Sequence, residues 1–159
     1  MPNSIIPGKG VYHPKRFYSC KAYWELNGSA IRVLEIFYLK RQLHDKATIE
    51  RAKISRDSVE MIRNNGNIIF TYDEAKGYGL SKGVFNRSID KLIEVGFLDV
   101  AKIGGNRMPN KYALSDRWMK FGTPNYEVKI RPNKGQNMIG LKTRFQKNGA
   151  VDRIQSTPP

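Results

Sequence analysis

Apolar positions repeat with a helical period in two long stretches of this chain, and polar or glycine-containing breaks separate them. Asn27-Gly28-Ser29 offers N-cap side chains, and behind it Ala30, Val33, Leu34, Phe37 and Tyr38 stand at i, i+3, i+4, i+7 and i+8. That spacing predicts a central core helix, widened by Ile31, Ile36 and Leu39. It ends in Lys40, Arg41 and Gln42, the first two being cations suited to the negative end of the helix dipole. The second stretch places Phe85, Ile89, Leu92 and Ile93 on one stripe, with Ser81 as N-cap and Gly96 as C-terminal cap. Just before it, Thr71-Tyr72-Asp73-Glu74 has the form of a capping box: threonine takes an orphan amide and Glu74 reaches back to the threonine amide. A short helix to about Lys76 should follow, stopped by Gly77-Tyr78-Gly79.

Strand patterns are shorter. Phe97 to Ile103 is rich in β-forming residues, 104–110 is mostly turn chemistry, and Lys111-Tyr112-Ala113-Leu114 can return as the partner strand. Ser115 and Asp116 can then cap a short helix through Trp118, Met119 and Phe121, closed by Gly122. A second hairpin is predicted about Asn65-Gly66, with Met61 opposite Phe70 and Val59 opposite Tyr72, and Ile68 beside them. A helix through Val59, Met61 and Ile62 competes with it. Residues 43–57 are open between a basic loop and an extra helix. Residues 1–18, with Pro2, Pro7, Gly8, Gly10 and Pro14, read as an irregular arm, and Ser19 as the cap of a short helix through Ala22, Tyr23 and Trp24 to Leu26. Residues 123–159 show little period and read as a basic, largely disordered tail, whose Ile130, Met138, Ile139, Leu141 and Phe145 could fold on a partner. The expected organisation is therefore an arm (1–18), one domain (19–122) and a tail (123–159).

Composition sharpens this picture. The 159 residues are 40% hydrophobic, 11% aromatic and 26% charged, with a mean hydropathy of −0.55, which suits a soluble chain with a core. No run approaches the ~18 apolar residues of a membrane span, and MPNSIIPGKG lacks the form of a signal peptide. A cytoplasmic protein without a membrane partner is expected. Cys20 is the only cysteine, and His13 and His44 are the only histidines, so neither a disulfide framework nor a zinc quartet is available. Cys20 reads as a small apolar residue, and no metal or cofactor is expected. The 28 Lys and Arg outnumber 14 Asp and Glu, giving +14, an excess that favours polyanion partners such as nucleic acid. Residues 65–122 carry +3 of it and the tail +5.

Helix, tight turn, second helix and two-stranded hairpin form the winged helix-turn-helix plan, a mainly α architecture with a small β-wing (α+β). Its helix-turn-helix lies at about 71–96 and its wing at about 97–114. A steep helix crossing needs a small residue at the contact, a glycine in the turn and an apolar plug; Ala75, Gly79, Leu80 and Phe85 supply them. With Phe85, Ile89, Leu92 and Ile93 inward, the wheel turns Gly83, Arg87, Asp90 and Lys91 outward, with Asn86 and Val84 at the margins. Lys82, Gly83, Asn86 and Arg87 then stand where a recognition helix enters the major groove. Arg87 can bond guanine twice, Asn86 can bond adenine twice, and the amides at Ser81 to Gly83 can hold a phosphate. Asn106, Arg107 and Lys111 at the hairpin tip can meet the backbone or minor groove. Tyr23, Trp24, Phe37, Phe85 and Trp118 are expected in the core rather than on a base-stacking platform.

Phe70-Thr71-Tyr72-Asp73-Glu74-Ala75, Leu80-Ser81-Lys82 leading to Phe85-Asn86-Arg87-Ser88-Ile89, Leu92-Ile93-Glu94-Val95-Gly96-Phe97-Leu98, and Gly104-Gly105 with Asn110-Lys111-Tyr112-Ala113-Leu114 carry a resemblance in their order and spacing. Over about Ser29 to Trp118 the chain resembles winged helix-turn-helix domains of the multiple-antibiotic-resistance regulator type, and more closely the winged modules of phage and plasmid replication proteins. The resemblance implies double-stranded DNA binding through Ser81 to Lys91 and the wing, in transcription regulation or replication initiation.

Enzymatic readings fit poorly. Gly77-Tyr78-Gly79-Leu80-Ser81-Lys82-Gly83 has its third glycine one position too late for a dinucleotide fingerprint, and Gly8-Lys9-Gly10 lacks the rest of a P-loop. Asp73-Glu74 are explained by capping and the dipole. The protein is expected not to be an enzyme; the alternative to DNA binding is a protein-docking or RNA-binding adaptor using the same fold and tail. A homodimer and a protein partner for the tail are left open.

Overall fold

The two periodic stretches become the two longest helices, and they pack against each other at the centre of the fold. A computed structural model describes residues 11, 13, 15–55, 57–105 and 107–132. Its helices are α1 (Lys15–Ser19), α2 (Lys21–Trp24), α3 (Gly28–Lys40), α4 (Lys46–Ala52), α5 (Tyr72–Gly77) and α6 (Lys82–Val95). Strands β1 (Ile68–Ile69), β2 (Leu98–Lys102) and β3 (Lys111–Leu114), with 3-10 turns at Val59–Met61 and Arg117–Lys120, complete an α+β arrangement. The sheet is antiparallel in the order β1-β3-β2; Leu98 pairs with Leu114, Val100 with Tyr112, and Ile68 with Tyr112 from the other side. A bulge between Val100 and Lys102 ends the regular pairing toward the hairpin tip.

Ala30, Val33, Leu34, Ile36 and Phe37 of α3 meet Phe85, Ile89, Leu92 and Ile93 of α6, while Ile68, Leu98, Tyr112 and Leu114 close the core from the sheet. Full burial of a side chain the size of Phe37 stabilises by about 1.5–3 kcal/mol. The helix starts follow local chemistry: Asn27 Oδ1 accepts from the Ala30 amide at 2.8 Å, and the Thr71 and Ser81 hydroxyls accept from Glu74 and Val84. No helix among the described residues is long and apolar enough to cross a membrane.

Several sequence expectations are corrected. The arm is not irregular throughout: α1 lies within it, and Phe17 is fully buried against Tyr38, Phe97 and Trp118. Ser19 ends α1 instead of capping α2, whose N-cap Cys20 makes no side-chain bond to that helix and donates to the Phe17 carbonyl instead. Cys20 is half-buried against the core rather than within it, and this partial burial pushes its thiol above its usual pKa. Trp24 and Leu39 are exposed, not core.

The hairpin about Asn65-Gly66 does not form. A turn closes there, with the Asn67 amide on the Asn64 carbonyl at 2.9 Å, yet only Gly66 has positive φ, so it is not the turn that aligns two strands. Val59–Met61 is a 3-10 turn, and β1 pairs with β3 instead. Asn65 supplies the missing pairing: its amide both accepts from the Leu114 N–H and donates to the Leu114 carbonyl. Residues 43–57 contain an extra helix, α4, capped by Asp45 and lacking buried residues. Glu74 turns to Lys40 on α3 rather than back to the Thr71 amide, so half of the capping box is replaced by an interhelical ion pair. Asp116 makes no cap bond; its carboxylate accepts from the Val59 amide, and burial raises its pKa. The compact unit holding all these elements runs through Lys129. Most of the expected tail lies outside the described residues.

Candidate nucleic-acid interface

The exposed surface at the start of α6 is set by the turn that precedes it. Ala75 is buried at the helix contact, Gly79 takes a φ of +75°, and the Leu80 amide returns to the Ala75 carbonyl at 3.0 Å. A left-handed residue at Gly79 lets the chain reverse in three residues, and no side chain obstructs it there. Leu80 and Phe85 then fill the space beneath the turn, with Phe85 edge-on to Phe70 at 4.8 Å. The four residues singled out for this turn therefore occupy the positions the sequence assigns them.

With Phe85, Ile89, Leu92 and Ile93 buried, Ser81, Lys82, Gly83 and Arg87 are exposed and Asn86 is half-buried. These five stand together on the first two turns. An alanine methyl at position 83 would touch the Arg87 guanidinium at 3.4 Å, so Gly83 leaves room for that side chain to lie along the first turn. The amides of Lys82 and Gly83 precede the first intrahelical bond, from the Phe85 N–H to the Ser81 carbonyl at 2.9 Å. Two cations and the positive end of a fourteen-residue helix thus share one surface.

Lys91 does not join them. It lies two turns on, at 3.1 Å from Glu94 and 3.9 Å from Glu25, where two carboxylates offset its charge. On the hairpin, Arg107 is exposed in the left-handed region (φ 72°), and Lys111 donates to Asn67 on the neighbouring segment at 3.0 Å. Asn106 lies outside the described residues. Asn110 accepts from the Gly104 amide at 2.7 Å and holds the base of the hairpin loop. Exposed Ile103 and Met108 flank the loop.

Tyr72 belongs to this surface, though the sequence places it only opposite Val59 in a hairpin and behind the Thr71 cap, not among the surface residues. It opens α5 half-exposed, and its hydroxyl bonds Asn86 Oδ1 at 2.8 Å. Its ring is edge-on to Phe85 at 5.5 Å, and Lys82 Nζ stands 4.9 Å above it. Only an exposed aromatic at the first position of a capped helix signals this, and that signal is equally that of a strand. Among the described residues no group of three or more His, Cys, Asp or Glu could hold a metal ion. Against family models, curated proteins and solved structures, the chain finds no match.

Proposed function

We propose that this protein binds double-stranded DNA as a winged helix-turn-helix, with α6 as recognition helix in the major groove and the β2–β3 hairpin as a wing on the backbone. The role is transcription regulation or replication initiation of the kind the sequence resemblance implies for bacterial and phage mobile elements. The observation that carries the reading is the cluster of exposed Lys82, Gly83 and Arg87 with half-buried Asn86, on the capped start of a helix whose opposite stripe is fully buried. Such a helix is rigid where it meets the core and fits a groove about 12 Å wide. Arg87 supplies a bidentate donor for guanine, Asn86 an amide for a base edge, and Lys82 with the first amides a phosphate contact. Arg107 and Lys111 extend the contact along the hairpin.

Binding to a duplex selected from a random library tests this, against random duplex, single-stranded DNA and RNA. About four neutralised phosphates predict a loss of about a hundredfold between 50 and 200 mM salt. Arg87→Ala should weaken the selected duplex about tenfold or more and random duplex far less. Equal losses on both overturn the base-reading role of Arg87. No preference for duplex over single strands and RNA overturns the DNA reading and favours the adaptor.

A further inference from the structure

We propose that Tyr72 is a positioning residue for base readout, acting through Asn86; this inference rests on the DNA reading above. Asparagine reads a base edge only when its amide plane and its oxygen and nitrogen ends are held the right way round. A half-exposed asparagine on a helix face loses that choice among rotamers only at an entropic cost, unless a neighbour fixes it beforehand. Tyr72 is that neighbour. Its hydroxyl donates to Asn86 Oδ1 at 2.8 Å, which sets the oxygen end toward α5 and the Nδ2 end away from it. A carbonyl oxygen has two lone pairs, so Oδ1 can accept from Tyr72 and from a base together.

The hydroxyl can do this because its ring has little freedom. Phe85, itself buried, meets the ring edge-on at 5.5 Å, and the Lys82 ammonium sits over the ring at 4.9 Å. Thr71 fixes the backbone from which Tyr72 projects, through its bond to the Glu74 amide at 3.2 Å. One residue of α5 thereby holds two side chains of the exposed α6 surface, Asn86 by a hydrogen bond and Lys82 by its ring. The core does not need the hydroxyl: Tyr72 remains 43% exposed, and a phenylalanine keeps both ring contacts.

The test uses the full chain as wild type, Tyr72→Phe, Asn86→Ala and the double variant, measured on a selected duplex, on single base-pair substitutions of it and on random duplex. Tyr72→Phe should weaken the selected duplex roughly two- to tenfold, the range of one neutral hydrogen bond. It should weaken random-duplex binding far less and shift the melting temperature by less than about 2 °C. It should flatten the preference at the same base pair that Asn86→Ala flattens, and add nothing in the Asn86→Ala background. Additive losses, flattening at a different base pair, or equal losses on selected and random duplex overturn the role of Tyr72 while the DNA reading stands. A wild-type protein with no preferred duplex overturns both.

Discussion

The two ends of α6 are built in opposite ways. At its C-terminal end almost every polar group is gripped by protein. The Gly96 amide caps the Leu92 and Ile93 carbonyls at 3.2 Å each, and the Trp118 amide bonds the Gly96 carbonyl at 3.1 Å. Arg117 spans the junction: its Nη2 donates to the Ile93 carbonyl at 2.9 Å, to the Leu98 carbonyl at 3.3 Å and to Asp99 at 2.7 Å. From the other side of the guanidinium, Nη1 reaches the Glu127 carbonyl at 3.1 Å, and the Tyr126 hydroxyl donates to the Glu94 carbonyl. At the N-terminal end one serine hydroxyl takes one amide, and the neighbouring cations stand exposed. Both ends belong to one rigid helix, so the difference is not one of order. The gripped end holds the helix to its sheet, and the open end leaves donors and positive charge exposed.

The gripped end should therefore carry the larger stability effects. Gly96 takes a φ of +93°, and a methyl there would stand 2.7 Å from the Trp118 nitrogen and 2.9 Å from the Arg117 carbonyl carbon. Strain and clash act together, and neither neighbour is a flexible side-chain end. Gly96→Ala should cost about 3 kcal/mol in urea unfolding; a loss below about 1 kcal/mol would mean that the junction yields easily and is not a clamp.

Next in size is Arg117→Ala, which leaves Asp99 without its closest cation and the Ile93 and Leu98 carbonyls without that donor. The pair is largely but not wholly shielded, at 18% and 25% side-chain exposure, so the cost should be about 2 kcal/mol rather than the 3–5 of a fully buried pair. The same unfolding series measures it. Lys129 stands 3.7 Å from Asp99 and offsets part of the loss.

The same contrast explains what the sequence made legible. The open end is written in local signals: a serine before an apolar period, a small residue and a glycine in the turn, and cations at the helical positions opposite the stripe. Each acts within four residues, so each is readable in order. The Gly96 cap is local too and was equally legible. Arg117 was not, because its partners lie 9 to 24 residues away and are largely backbone carbonyls, which every residue possesses. Asn65 failed for a related reason. Asn-Gly indicates a turn, and a turn is there, but the asparagine side chain pairs with Leu114, 49 residues on, where a flanking strand was expected. Phe17 sits in a segment too short and proline-rich to show a period, and only tertiary burial identifies it. Tyr72 shows the limit for the candidate surface: its contact with Asn86 crosses a turn whose exact geometry no residue type specifies.

The smallest expected effect is at the open end. Ser81→Ala removes the one side chain that accepts from the first turn, the bond to the Val84 amide at 3.3 Å. Serine at this position is exposed, so water replaces most of what is lost, and the cost should be about 1 kcal/mol. Urea unfolding beside Arg117→Ala sharpens the comparison, since each variant truncates to alanine a side chain that bonds the backbone at one end of α6, Ser81 as its N-cap and Arg117 from the turn that follows the sheet. A Ser81→Ala loss as large as that of Arg117→Ala would put the two ends on one footing, and the exposed cations of the first turns would then be part of how the helix is held rather than a surface it offers.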